Sequence, residues 1–574
     1  MWFALSAACA LACGATLVGA QTAVAADNWS APADLSLPVQ NAIAPQVAAG
    51  SDGTAFAIWA RTDGSGDLRA ETVRYDGTGW TTVEQLSAAG VDAEYPDVAA
   101  DGSGRAIAIW KSNNGGNRAI QARIFDGTAW QAAQDLGVAS TAGNTPVIAM
   151  NASGAAVAIW SVTSGSNLLI RTSRYTPAGG WSTPATLSST GMAGLPDVAV
   201  NASGKAIVAW KDSSSAEVQA ATYDGTSWSA PATPSFAGAS IADPRVAING
   251  SDATTVIWNQ LAASGPARHI IVGSTFDGTN WSVPTPLTTS TDDNATSGRI
   301  VIDRFGVATV LWLDDYDSGL VDAQIESGRF NGLSSTGPRS AVSASGQPAT
   351  QPQIALDTDD LPVAIWQRSN GTKTVIQTKR YGGANWPITA TDLSDDAQDA
   401  TDPQIAIGPD GINTVVWARS NGTNTIIQAT RWPEPNAPTG ITGTSIPGAR
   451  VRVAFTPGSM PNALATESTA TCTSSDGGAT RSASAATSPI VVEDLSIMKT
   501  YTCAVTTTSD ASTGPASSAT GTFLSGYILA VTGLDGNGTV SDDPFDPQGN
   551  AAEAERRVRG LLWILGQHPT YQTR

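Results

Sequence analysis

Histidine is nearly missing from this chain of 574 residues. The two that occur, His269 and His568, fall in different segments, so neither a Ser/His/Asp triad nor a His-rich metal centre can be assembled. His269 lies in Arg268-His-Ile-Ile271, which reads as a strand, and is expected to be a surface strand residue. Glutamate is sparse too. Between residues 27 and 432, Glu71, Glu84, Glu94, Glu217 and Glu326 are the whole set, a thin supply for the paired carboxyl groups of a glycosidase. Lysine is so scarce, and the net charge of -19 so acidic, that no basic stripe can form against a phosphate backbone or an anionic membrane. Nucleic acid is thereby excluded as an expected partner. Charged residues make up only 14% against 41% hydrophobic, which excludes a disordered tether and implies ordered β-rich protein.

Long apolar runs are confined to the first residues. Trp2 to Val18 is apolar and is followed by Ala23-Val24-Ala25, an A-x-A cleavage pattern, so residues 1–26 read as a signal peptide even though no Lys or Arg precedes Arg61. No other segment has the ~18 apolar residues of a membrane-spanning helix. Secretion or surface display is expected, with the periplasm as a further destination. Of four cysteines, Cys9 and Cys13 leave with the leader. Cys472 and Cys503 remain, and a disulfide between them suits an oxidising compartment, with two buried free thiols as the alternative.

What is present in abundance is repetition. Trp59, Trp110, Trp160, Trp210, Trp258, Trp312, Trp366 and Trp417 each close a strand, followed by a polar turn, a second strand and an aromatic corner. The period of about 50 residues suits one four-stranded propeller blade. In the first unit the strands are PQVAA at 45–49, FAIWAR at 56–61, LRAETVRY at 68–75 and a last strand opened by Trp80. The second strand is apolar on both faces in every copy, so both must be covered, and neighbouring blades would cover them. The expected fold is therefore all-β: an eight-bladed propeller over 27–432, or seven-bladed should the sixth unit at about 282–335 be irregular. In that unit the Trp position falls near Phe330.

Corners such as Tyr75-Asp76-Gly77-Thr78 and Phe276-Asp277-Gly278-Thr279 carry the Asp-Gly pair of tight hairpin turns. They resemble the Asp-box of sialidases in composition but differ in spacing. The eighth unit ends at Arg431-Trp432 without an outer strand, and Trp29 to Ser36 is the piece that would complete it.

After the linker at 433–437 the rhythm stops. Residues 438–524 resemble a fibronectin type III domain in Ala437-Pro438-Thr439, Val451 to Pro457, Ser488 to Val492, and the spacing of Leu495 from Tyr501, which matches the tyrosine corner of such β-sandwiches. Phe455 stands where that family usually has Trp. The last segment, 525–574, combines Leu534 to Asp543 with a helical run from Ala551 to Gly566. It resembles a degenerate EF-hand or dockerin-type calcium loop, in which Asp535, Asn537, Thr539, Ser541 and Asp543 would supply oxygens to Ca²⁺; Gly533 and Pro544 replace the end ligands. The repeats as a whole resemble those of uncharacterised exported bacterial proteins that carry fibronectin type III domains.

These features imply an exported, monomeric recognition or adhesion protein with no required cofactor, binding an extracellular glycan or protein. Polar residues following the repeat Trp, namely Arg61, Lys111, Asn259, Gln367, Arg368 and Arg419, would line one rim as ligand-binding residues or be ordinary strand ends. The alternatives are a sialidase-like glycoside hydrolase, for which no catalytic residue can be named, and a scaffold without a small ligand.

Overall fold

The computed structural model describes residues 29–509 and 523–524, apart from 51–52, 78, 140–145, 190, 237–239, 264–267, 290–293, 316–321, 433–437, 447–448, 458–464 and 497–498. The signal peptide expected at 1–26, the linker expected at 433–437, the residues expected to bind calcium, Asp535, Asn537, Thr539, Ser541 and Asp543, and the helix expected over 551–566 lie outside the described residues. Among the described residues every regular element is a strand, so no helix is long and apolar enough to cross a membrane.

Strands from 33 to 432 form eight small antiparallel sheets. The first comprises Ala42–Ala49, Ala55–Thr62, Leu68–Tyr75 and Glu84–Gln85, paired in sequence order. The inner strands of the other seven are Asp92–Ala100, Val147–Met150, Ala193–Val200, Ile241–Ile248, Ala295–Ile302, Ala349–Leu356 and Ala400–Ile407. Each inner strand packs on the next, and the eighth packs back on the first, which makes a closed circuit.

Burial explains why the circuit holds. The eight repeat Trp are almost wholly buried, and each sits in a hydrophobic cluster shared by two neighbouring sheets. Trp110 of the second sheet, for example, meets Phe56, Ile58 and Leu86 of the first. Because the second strand offers apolar side chains to both sides, one strand serves two interfaces. A buried aromatic of this size removes ~150–250 Å² from water, which makes the interface indoles the largest packing contribution of each repeat.

The sixth unit forms a sheet like the rest, from Ala295–Ile302, Val307–Asp314, Gln324–Asn331 and Ser334–Ser335. Its register corrects the expected position of the missing Trp. Phe330 pairs with Ser335 as Tyr75 pairs with Trp80, so Phe330 holds the tyrosine position and Ser335 replaces the indole.

Closure uses the first described residues. Ala33 pairs with Ala429 and Asp34 with Gln428, the Ser30 N–H donates to Arg431 O at 2.8 Å, and Leu35 N–H donates to Ile427 O at 2.8 Å. Trp29 packs on Trp432 with ring centroids 6.3 Å apart. Pairing the start of the ring with its end removes the free edge that an open row of sheets would expose.

Beyond residue 438 two further sheets, Thr439–Ile446 with Arg450–Thr456 and Ile490–Val492, and Arg481–Ala485 with Ala465–Ser474, Thr500–Ser509 and Phe523–Leu524, share one core around Val453, Phe455, Ile490, Tyr501 and Val505. Tyr501 Oη donates to Ala479 O and accepts from Ser496 N–H, both at 3.0 Å. Cys472 and Cys503 face each other on adjacent strands and are joined as a disulfide.

Candidate functional site

Every inner strand except the third, whose corresponding residue is not described, breaks its ladder at the same place. Ala44, Tyr95, Leu195, Asp243, Ser297, Gln351 and Asp402 have φ between 50° and 54°, and the pairing register shifts just there. A non-glycine residue in this region costs ~1–2 kcal/mol. Pro follows six of the seven and Gly298 the other, and a residue without an N–H fits a bulge where no ladder bond is made. Bulges re-aim the side chain that follows.

The re-aimed side chains meet. Gln46, Asp97, Val147, Asp197, Arg245, Arg299, Gln353 and Gln404, one from each sheet, line a single cavity of about 530 Å³ where the eight inner strands converge. The ring is divided by chemistry. Sheets two to four supply carboxylates flanking Val147, sheets five and six supply guanidiniums, and sheets seven, eight and one supply amides. At the same cavity Tyr95 and Leu195, 38% and 43% exposed, add an apolar arc with Pro96, Pro146 and Pro196.

Hydrogen bonds orient these groups across sheet boundaries. Asp97 accepts from Ile148 N–H of the third sheet and from its neighbour Val98 N–H, each at 2.9 Å. Asp197 accepts from Val246 N–H of the fifth sheet at 2.9 Å. Arg299 donates through Nε to Gln353 Oε1 and through Nη1 to Gly298 O, both at 3.0 Å, and Arg245 Nη1 donates to Pro244 O at 3.2 Å. Burial pushes the Asp97 carboxyl up to about 7, the charge of Asp197 adds to the rise, and the two N–H donors oppose it. The Arg299 guanidinium is drawn down to about 10, first by burial and then by Arg245 beside it, with Asp197 and Asp243 acting the other way. The cavity thus sets guanidinium donors on one arc against carboxyl acceptors on the other, with the half-exposed Tyr95 at its lining, an arrangement with hydrogen-bond partners for hydroxyl groups.

The opposite end of the circuit is built differently. Asp101, Asn151, Asn201, Asn249, Asp303 and Asp357 each accept N–H bonds from residues two and four further on. Three of them also donate to the next sheet: Asn151 to Asn201 O at 3.0 Å, Asn201 to Asn249 O at 3.2 Å and Asn249 to Asp303 O at 2.8 Å. These turns hold the circuit together. Among the described residues no group of three His, Cys, Asp or Glu side chains could hold a metal ion.

The residues expected at a rim stand apart from the axial cavity. Arg61 is buried and donates to both oxygens of Glu71 at 2.7 Å, while Trp59 Nε1 shares the same carboxylate at 3.2 Å. Lys111 is also buried, ion-paired to Glu94 at 3.0 Å and placed over the Tyr95 ring at 5.7 Å. Asn259 is buried; Gln367, Arg368 and Arg419 are half-buried, Arg368 donating to Ser345 O at 3.2 Å and Arg419 pairing with Asp395 at 3.2 Å. The sequence by itself does not single out the axial residues. A signal is there nonetheless: the position after the inner-strand proline or glycine changes from Gln to Asp, Val or Arg between repeats whose surroundings stay alike.

No family model matches this chain, and no curated protein does. Among solved structures it is similar to a Hadza microbial sialidase, at 15% identity over 55% of this chain and 73% of that one, with a TM-score of 0.34. A fucose-specific lectin from Aleuria aurantia matches at 12% identity over 55% and 99% of the two chains, with a TM-score of 0.32. An ulvan lyase matches at 10% identity over 57% and 89%, with a TM-score of 0.40. Likenesses at these scores bear on neither ligand nor reaction.

Proposed function

We propose that this chain is an exported recognition protein whose eight sheets are the blades of an eight-bladed β-propeller, and that its axial cavity binds a glycan. One observation carries the reading: eight equivalent backbone positions, otherwise alike from repeat to repeat, present three amides, two carboxylates, two guanidiniums and one valine to one cavity. Packing alone would favour the same residue in every copy. A ligand that is itself asymmetric favours different ones, and hydroxyl groups are the natural partners of mixed donors and acceptors beside an exposed Tyr95. Export is supported by the leader and by the disulfide, which suits an oxidising compartment.

The β-sandwich from 438 is proposed to be a fibronectin type III spacer, supported by the Tyr501 hydroxyl tied to the Ser496 and Ala479 backbone. The tail is proposed as a weak calcium loop; calorimetric titration of the full chain against its Asp535→Ala variant tests it, and equal heats would remove it.

The axial reading is tested with the full-length protein on a glycan array and a fluorogenic glycoside panel. Binding that is lost when Val147→Trp fills the cavity supports it. Binding that survives the plug moves the site elsewhere, and turnover of any glycoside replaces recognition with hydrolysis.

A further inference from the structure

The fifth and sixth sheets bring two guanidiniums, Arg245 and Arg299, to one arc of the axial cavity. Among the described residues neither has a carboxylate within the 4.0 Å of an ion pair. Their hydrogen bonds go to neutral acceptors instead: Gln353 Oε1 and Gly298 O for Arg299, Pro244 O for Arg245. Arg299 is thus held at two nitrogens and Arg245 at one. Nη2 of Arg299, and Nε and Nη2 of Arg245, are left without a hydrogen bond among the described residues.

Arg245 is near enough to oppose the charge of Arg299, and two like charges in a partly dehydrated site destabilise each other unless an anion joins them. Asp197 and Asp243 both act on Arg299 from a distance, but among the described residues neither forms an ion pair with it, and one oxygen of Asp197 is taken by Val246 N–H. A planar guanidinium meets a carboxylate or sulfate through two parallel hydrogen bonds; Arg245 keeps its Nε and Nη2 fork for them, and Arg299 adds Nη2, so the two can share one oxyanion. On the far arc the Asp197 carboxylate repels a second anion, and Asp97 and Asp197 offer oxygens to hydroxyl groups, which sets the direction in which a ligand lies.

Building on the axial glycan reading, we propose that the ligand is an acidic glycan whose carboxylate or sulfate group is held between Arg245 and Arg299. The charged group lies at the fifth and sixth sheets, and the hydroxyls reach the carboxylates of the second and fourth and the amides of the seventh, eighth and first.

The test uses the full-length protein on an array of matched pairs, each uronic-acid glycan beside its methyl ester and each sulfated glycan beside its desulfated parent. The charged member is expected to bind about tenfold or more tighter than its neutral partner, and the series that shows this distinguishes carboxylate from sulfate. Arg245→Gln and Arg299→Gln are each expected to erode that ratio about fivefold or more while altering the neutral partner far less. Equal binding of charged and neutral members, or a ratio that survives the double variant, overturns the acidic ligand. Neutral binding still blocked by Val147→Trp would leave the axial reading standing in that case; no glycan binding at all would end both. Should the arginine variants fail to fold, displacement of the wild-type protein's bound glycan by inorganic sulfate decides the same question, since an oxyanion seat is competed and a neutral one is not.

Discussion

The Ser36 hydroxyl accepts the Ile427 N–H at 2.9 Å, joining positions 391 residues apart. Ser87, Ser188, Ser235, Thr288, Ser343 and Ser394 make the same bond within their own sheets, to Ala70, Ile170, Val218, Ile271, Ile325 and Ile376. Ser36 is thus the outer-strand hydroxyl of the eighth sheet, supplied from the other end of the ring.

Ser36→Ala is expected to lower stability by about 1 kcal/mol, the net worth of one buried hydrogen bond. Removing residues 29–36 should do far more, because Thr425–Trp432 then becomes an unpaired edge. Urea unfolding for the first, and light scattering with thermal melting for the second, check these; a truncated chain as stable and monodisperse as the parent would contradict the closure.

Trp366→Ala should cost about 3–5 kcal/mol, since it opens a cavity between the sixth and seventh sheets where the indole meets Leu311, Ile325 and Val342. Denaturant midpoints measure this. A loss below about 1 kcal/mol would mean that the indoles do not cement the interfaces.

Glu71 carries the buried charge partnership of the first sheet. Glu71→Gln leaves Arg61 buried without its counter-charge and is expected to cost about 3–5 kcal/mol, whereas the double variant Glu71→Gln, Arg61→Met should regain most of that. Glycan binding by the double variant should match the parent, because neither residue lines the axial cavity. A loss of binding without a loss of stability would return Arg61 to the rim site expected from the sequence.

Stability should carry a pH signature of Asp97. Its carboxyl titrates near 7 when folded, above the 3.8 of an ordinary aspartate, so the folded state holds the extra proton between those values. Its contribution therefore declines as pH rises from about 4 to about 7. Melting temperatures of the parent and Asp97→Asn should differ by an amount that shifts against the parent over that window; a constant difference across it would mean an ordinary carboxylate.

Reduction should weaken only the C-terminal sandwich. The Cys472–Cys503 bridge spans 31 residues, which in the chain-entropy account is worth about 3–4 kcal/mol. Calorimetry with and without reductant should move one transition and leave the ring's in place; a shift of both would show the two units unfolding together.

The architecture is legible because its causes are local and repeated. Alternation of Ala with Ile or Val, an indole at the end of a strand and an Asp-Gly turn recur every ~50 residues, and each specifies the same strand pairing wherever it stands. Even the seam can be read, since Trp29 to Ser36 repeats the outer-strand pattern that the eighth unit lacks. Register is less legible: the sequence alone matches Phe330 to the indole position, and only its pairing with Ser335 puts it right.

The candidate site is hidden for the opposite reason. Arg61 and Lys111 look like rim residues in the sequence because they follow the strand-ending Trp, yet neighbouring strands place Glu71 and Glu94 within reach and draw both inward. Arg245 and Arg299 look unremarkable because they are 54 residues apart and buried in a repeat. Local chemistry determined the strands, the turns and the indole-filled interfaces, since each needs only its own 50 residues. Which eight side chains meet at the axis was decided by closing the circle, because only there do residues from every sheet share one volume and one electrostatic environment.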